Sequence, residues 1–244
     1  MHHAAGTAQD PCILDDVQPL LAELHTPITM SVVENGQPGR PRAERFIQRV
    51  FRHAYGADIR CFYPTLIDFA DDRRLRAVVG YRDGMVRPLF SEQYLDEPAE
   101  HCISRRLGHD IARTSLVEVG NLALTDAGDT RWVIAAVTLF LHRLGYRWVL
   151  FTAVRPLFNA FRRLGMNPVR IAEADAAHLD DERQAWGHYY DRRPVVCAGS
   201  IESGYHKLLR HGIHRQPMLQ ALLEQAEQLA TTISPSAQTL AGGH

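Results

Sequence analysis

The sequence predicts an α/β domain (α+β type) with one mixed sheet and helices on both faces. Three observations predict it. Strand-like and helix-like patterns alternate in the order β-α-β-β-(α)-β-α-β-α-β-β. The section from Leu116 to Gly165 reads strand-loop-helix-strand-helix, a parallel crossover unit. The chain has 244 residues, 45% of them hydrophobic, which is enough for one substantial core.

The elements follow in order. Residues 1–26 read as an N-terminal arm, within which DDVQPLLAEL has a short helical pattern. The domain spans 27–216. PITMSVVENG (Pro27 to Gly36) is a strand ending at a turn. RAERFIQRVFRHAYGAD is a helix with Phe46, Val50, Phe51 and Ala54 on one face and Gly56 as its stop. RCFYPTLIDFA and LRAVVGYRDG are strands joined by the turn DDRR, the second extending to MVRPLF. A helix after Pro98 carries Cys102, Ile103 and Leu107 on its apolar side. SLVEVGNLALT is the next strand, followed by the loop DAGDT and the helix RWVIAAVTLFLHRLG. Strand RWVLFTAV, helix PLFNAFRRLG, and strands within NPVRIAEAD and PVVCAGSIE complete the domain. Residues 217–244 hold an amphipathic helix, MLQALLEQAEQL, and a polar, flexible end.

Composition narrows the function. The formal net charge of −1 gives no general footprint for nucleic acid. Lys207 is the only lysine, so 26 of the 27 basic residues (27 − 1) are arginine. Arginine suits phosphate recognition, and a GC-rich coding bias gives the same usage. The most apolar stretch, Trp132 to Leu141, is short of the ~20 residues a membrane span requires. The four cysteines lie far apart without a CxxC pair, so neither a disulfide framework nor a zinc site is expected. HGIH (His211 to His214) lacks a third ligand at useful spacing, so no metal is expected. The N-terminus lacks the features of a signal peptide, and the expected location is cytoplasmic.

The stretch SLVEVGNLA (Ser115 to Ala123) carries the chemistry. Strand alternation puts Leu116, Glu118 and Gly120 on one face and Val117, Val119 and Asn121 on the other. A carboxylate beside apolar neighbours must be paired, neutralised or used. Two readings stand for Glu118: an ion pair with one of the arginines, or a general base whose pKa is lifted by burial. Gly120 is where a bulge costs least, and a simple edge kink is the alternative.

GADIRCFYPTLI, VVGYRDG, PLFSEQYLDEPAE, SLVEVGNLA, FRRLGM and WGHYYDRRPVVCAG resemble signature stretches of the bacterial thermostable hemolysins, from about Arg42 to Gly204. That family is similar in fold to the GNAT N-acetyltransferases, near the acyl-homoserine-lactone synthases. The resemblance implies a mostly antiparallel sheet with a central parallel pair, and acyl transfer from a thioester. The central strand would be Leu116 to Leu124 and its diverging neighbour Trp148 to Val154, with a pantetheine arm in the cleft between them.

The resemblance also assigns roles. Glu118 is the catalytic base or its orienter. Glu92, Gln93, Tyr94, Asn121, Arg82, Trp186 and Tyr189 bind the acceptor or cover its pocket. Val119, Gly120, Gly128, Arg131 and Asn159 contact the donor. Each has a plainer reading: a bulge (Asn121), a solvated helix start (Glu92 to Tyr94), surface ion pairs (Arg82, Arg131), an exposed helix position (Asn159) or aromatic packing (Trp186, Tyr189). Two departures stand out. TDAGDTR has one glycine where the family's phosphate turn is glycine-rich, with Asp126 and Asp129 beside it. Phe161 stands where acetyltransferases often have a tyrosine that protonates the leaving thiolate.

The implied function is N-acyl transfer from an acyl-CoA or acyl carrier protein thioester to a small amine, by direct attack. The acyl-CoA or 4'-phosphopantetheine-linked acyl group is a cosubstrate, and no cofactor is tightly bound. The expected partners are the small-molecule amine acceptor and an acyl carrier protein. A degenerate binding module for an acyl ligand and a membrane-active hemolysin are the alternatives.

Overall fold

The computed structural model describes residues 27–72, 74–86, 88–179, 181–210, 212 and 216–233. The predicted N-terminal arm, most of HGIH and the polar end beyond Ile233 lie outside them. Seven strands form one sheet in the order β1-β2-β3-β4-β5-β7-β6. They are β1 (Thr29–Glu34), β2 (Thr65–Ala70), β3 (Leu75–Asp83), β4 (Leu116–Leu124), β5 (Trp148–Ala153), β6 (Val169–Glu173) and β7 (Val195–Ser200). Every neighbouring pair is antiparallel except β4 and β5, which run parallel.

Among the described residues six helices cover the sheet: α1 (Arg40–Tyr55), α2 (Ala99–Leu107), α3 (Thr130–Arg143), α4 (Arg155–Arg163), α5 (Ile201–Arg210) and α6 (Pro217–Ile233). On one face Ile67, Phe69, Val79, Tyr81 and Val117 pack against Trp132, Leu139 and Phe140 of α3. Leu208 of α5 and Leu219, Leu222, Ala226 and Ala230 of α6 join that core. On the other face Leu66, Val78 and Ala123 meet Ala43, Phe46, Ile47 and Phe51 of α1. Ile103 of α2 and Leu89 lie over Leu116, Leu150 and Val196 on the same side. Both faces are therefore apolar at β4, which explains its nearly continuous apolar pattern.

Several expectations are corrected. Ala54 is exposed; the buried stripe of α1 runs Ala43, Phe46, Ile47, Phe51. RCFYP is not strand: Pro64 supplies no N–H to a ladder, and β2 begins at Thr65. MVRPLF does not extend β3, because the chain turns after Asp83, whose carboxylate accepts from Met85 N at 2.7 Å. The last strand ends at Ser200, and Ile201 and Glu202 open α5, a helix the sequence reading does not assign. The C-terminal helix packs into the larger core through Leu219, Leu222, Ala226 and Ala230. Its Gln225 accepts from Met30 N at 2.7 Å and donates to Ile28 O at 3.1 Å, covering edge strand β1.

Candidate active site

Pairing between β4 and β5 is short. Leu116 to Val119 align with Trp148 to Phe151, and no pairing follows, although β4 continues to Leu124 and β5 to Ala153. Beyond Val119 and Phe151 the facing main-chain edges part, leaving a wedge that an extended ligand can enter as a strand would. The cause is a bulge. Val78 pairs with Ala123 and Gly80 with Gly120, so two β4 residues, Asn121 and Leu122, face the single residue Val79.

The backbone turn at this bulge is at Asn121, not Gly120: Asn121 has φ 48°, while Gly120 is not among the positive-φ glycines. Asparagine tolerates the left-handed region better than most side chains. The bulge also moves Asn121 from the face expected for it. Its Oδ1 accepts from Tyr63 N at 2.8 Å, on the Glu118 side of the sheet.

Glu118 is wholly buried. Its carboxylate accepts from Phe90 N at 2.8 Å and Ser91 N at 2.6 Å, the first amides of the 3-10 turn Phe90–Tyr94. Burial pushes its pKa up, opposed by the Ser91 hydroxyl, these two amides and the charge of Arg82. The Ser91 hydroxyl lies 3.4 Å from that of Thr152, a β5 residue just past the last pairing. A carboxyl thus sits behind the wedge, with a hydroxyl reaching towards it.

The 3-10 turn is anchored from below. Buried Arg113 pairs with Glu92, with Nη2 at 3.1 Å from Oε2, and with Glu100 Oε2 at 2.7 Å. Glu92 also accepts from Leu89 N at 2.8 Å and Ala99 N at 2.9 Å. Burial alone would raise the Glu92 pKa, but the bonds from Arg113, Ala99 and Leu89 hold it down at about 2. Gln93 donates to Phe90 O at 2.8 Å, and the Tyr94 hydroxyl bonds that of Tyr190. Glu92 and Gln93 thus bind the turn itself.

Tyr63 is the site residue that the sequence analysis does not single out. Its ring fills the space of two absent side chains. A Cβ on Gly120 would stand 2.5 Å from its Cε2 and 2.7 Å from its Oη, and one on Gly80 would stand 2.7 Å from its Cβ. Gly80 and Gly120 are cross-strand partners. Arg40 donates to the carbonyls of Tyr63 (2.6 Å) and Pro64 (2.8 Å). The hydroxyl lies beside the Glu118 carboxyl, and burial and that carboxylate together hold the phenol proton well above its ordinary pKa.

Arg82, paired in register with Glu118, lays its guanidinium 5.1 Å from the Tyr63 ring centroid. Its Nη1 donates to Pro88 O at 3.2 Å, and its Nε is buried without a partner among the described residues. Trp186, Tyr189 and Tyr190 form an aromatic wall with Phe51, Tyr55 and Phe90, with Trp186 5.6 Å from Phe90. The predicted acceptor residues Arg82, Asn121, Trp186 and Tyr189 thus lie on the side of Tyr63 and Glu118.

The predicted donor residues are dispersed. Val119 makes the last β4–β5 pair with Phe151. Asn159 is exposed on α4, and Arg131 half-buried on the first turn of α3. Gly128 N donates to Asp126 Oδ1 at 2.8 Å, so this amide is spent on its own turn. Asp129 caps nothing; it accepts from Arg76 Nε at 3.1 Å and Trp132 Nε1 at 2.9 Å. The phosphate turn expected from the resemblance is therefore closed on itself. Phe161 stacks on Phe151 at 4.8 Å, so its ring is part of the packing under α4.

The amino-acid pattern matches thermostable hemolysin over residues 33–205. The chain belongs to the thermostable hemolysin family. Solved structures share the fold of this family member at low identity. FeeM, an N-acyl amino acid synthase from uncultured soil microbes, aligns at TM-score 0.52 and 10% identity, covering 77% of this chain and 98% of its own. The CoA-dependent acyl-homoserine lactone synthase BjaI, solved with SAM and isopentyl-CoA, aligns at TM-score 0.53 and 12% identity, covering 82% and 99%. The synthase LasI aligns at 0.50 and 10%, covering 72% and 91%. No curated protein matches the sequence. The hemolysin-family chain therefore has a GNAT-like acyltransferase fold. No helix among its described residues is long and apolar enough to cross a membrane. Nor do those residues group three metal-ligating side chains.

Proposed function

We propose that the protein is an N-acyltransferase that moves a fatty acyl group from a thioester to a small amine such as an amino acid. One observation carries this reading: a buried carboxyl, Glu118, lies beside the point where β4 and β5 part. An acyl thioester enters the wedge along the open strand edges, with its acyl chain along the half-buried apolar side of α4, Leu157, Phe158 and Phe161. The amine attacks the carbonyl directly, and Glu118 is the base. The half-buried guanidinium of Arg82 suits a carboxylate on the acceptor. The neighbours named for N-acyl amino acid and acyl-homoserine lactone synthesis support the class by analogy.

The donor is acyl-CoA or an acyl carrier protein. The closed turn at Gly128 favours the carrier, which brings only a phosphopantetheine arm. The same closed turn favours a second reading, a binding module for an acyl ligand without turnover.

Native mass spectrometry of protein from a bacterial host, followed by thiol-release assays with acyl-CoA and acyl-carrier donors, tests both. A bound acyl donor with amine-dependent thiol release supports transfer. A bound donor with no release across an amine panel supports the binding module.

A further inference from the structure

We propose that Tyr63 is a catalytic residue, and that Glu118 exchanges protons with the acceptor amine through the Tyr63 hydroxyl. This deepens the acyl-transfer reading and rests on it. Glu118 has no exposed surface and spends its oxygens on the Phe90 and Ser91 amides, so an amine cannot reach it directly. Tyr63 retains 8% exposure and sets its hydroxyl beside the same carboxylate.

Its placement is over-determined. Two glycines clear space for the ring, Asn121 holds its N–H, Arg40 holds its carbonyl and Arg82 covers its face. The hydroxyl stands over Gly120, the first β4 residue past the pairing with β5, where a thioester in the wedge presents its carbonyl. A ring serving only as packing would require no hydroxyl at this spot, over Gly120 and beside Glu118. Phe161 has no side-chain proton to give, and neither have its apolar neighbours Leu157 and Phe158 on α4.

The step balances. The amine nitrogen attacks the thioester carbon, the C–N bond forms, and the C–S bond breaks with its electron pair leaving on sulfur. An amine proton passes to Tyr63 Oη while the phenol proton passes to Glu118. The proton then returns by the same path to the thiolate, giving amide and thiol.

The test uses the full chain, octanoyl-CoA and octanoyl-carrier protein as donors, and a panel of the twenty amino acids, reading thiol release and amide mass. Tyr63→Phe keeps the ring and removes only the relay. Its kcat is expected to fall about 10²-fold or more, with the donor KM within about twofold and the melting temperature little changed. Full kcat in Tyr63→Phe overturns the relay and leaves acyl transfer standing. A silent wild type with every donor and amine overturns the acyl-transfer reading and the relay with it. If Tyr63→Phe does not fold, 3-fluorotyrosine at position 63 decides. A kcat that changes with the more acidic phenol supports the relay, and an unchanged kcat overturns it.

Discussion

Gly120→Ala tests the packing on which the site rests. The added Cβ would stand 2.5 Å, 2.6 Å and 2.7 Å from Cε2, Cζ and Oη of Tyr63. Carbon atoms pack at about 3.5–4 Å, so the ring must retreat by about 1 Å. It has nowhere to go: Gly80 sits against its Cβ, and Asn121 and Arg40 tether its backbone on both sides. The expected cost is about 3 kcal/mol, the upper end of overpacking penalties. For a domain of this size that lowers the melting temperature by about 6–12 °C. Backbone strain contributes nothing, because Gly120 does not have positive φ. Without Tyr63 the sign reverses, since Gly→Ala at an unstrained site gains about 0.4–1 kcal/mol. Thermal and denaturant unfolding of both single variants and of Gly120→Ala/Tyr63→Ala measures the coupling, expected at about 3.5–4 kcal/mol. A neutral Gly120→Ala, or an equal cost with Tyr63 removed, would refute the slot.

Three further outcomes follow from the same residues. Asp68, buried on β2 with Oδ1 unpartnered among the described residues, has its pKa pushed up to about 6 by burial, against Arg42 and Arg40. Its folded pKa exceeds the unfolded ~3.9, so its stabilising contribution is full below pH ~4 and lost as pH rises through 6. Asp68→Asn is then expected to stabilise by about 1–2 kcal/mol at pH 7, after discounting for screening, and by little at pH 4, measured by urea unfolding. Glu92 has the opposite sign: with its pKa held at about 2, its contribution is present above pH ~4 and lost as pH falls. Glu92→Gln is expected to cost about 2 kcal/mol at pH 7 and much less near pH 2, followed by circular dichroism. Asn121→Ala combines about 1 kcal/mol of left-handed strain with an orphaned Tyr63 N–H, about 2–3 kcal/mol together, and Asn121→Gly recovers the strain part in the same unfolding assay.

Most of the sheet was legible because its signals are local. The Asp71–Arg74 turn closes as read, with Arg74 N donating to Asp71 Oδ1 at 2.8 Å. The crossover from β4 through α3 to β5 gives the parallel pair. Glu118 stood out as one charge within an apolar strand. What covers it did not, because the covering groups come from 27 and 28 residues away through main-chain amides, which carry no residue signature. Tyr63 bonds Asn121 across 58 residues and fits two glycines on different strands, a complementarity no spacing rule encodes. Asp129 looked like a cap because aspartate favours helix starts. Its partner, Arg76, lies 53 residues away on β3, and a half-buried guanidinium outcompetes the amides. Helix α5 was hidden by Gly204, which lowers helical propensity but leaves room for Met166 and Thr138, from which an added Cβ would stand only 3.3 Å.

The bulge links the two halves of the candidate site. The extra residue on β4 ends its pairing with β5, and that opens the wedge. The same irregularity turns Asn121 onto the Glu118 face, where it fixes Tyr63. A strand without the bulge would lose both, because regular alternation would carry the Asn121 side chain to the opposite face and leave the Tyr63 N–H unpartnered. The proposed donor cleft and the proposed proton path therefore depend on one local conformation. Asparagine serves this position better than glycine, since glycine supplies the φ of 48° but has no oxygen for Tyr63. The Gly-Asn order follows from this. The first residue must be bare to admit the ring, and the second must both turn the chain and hold the ring in place.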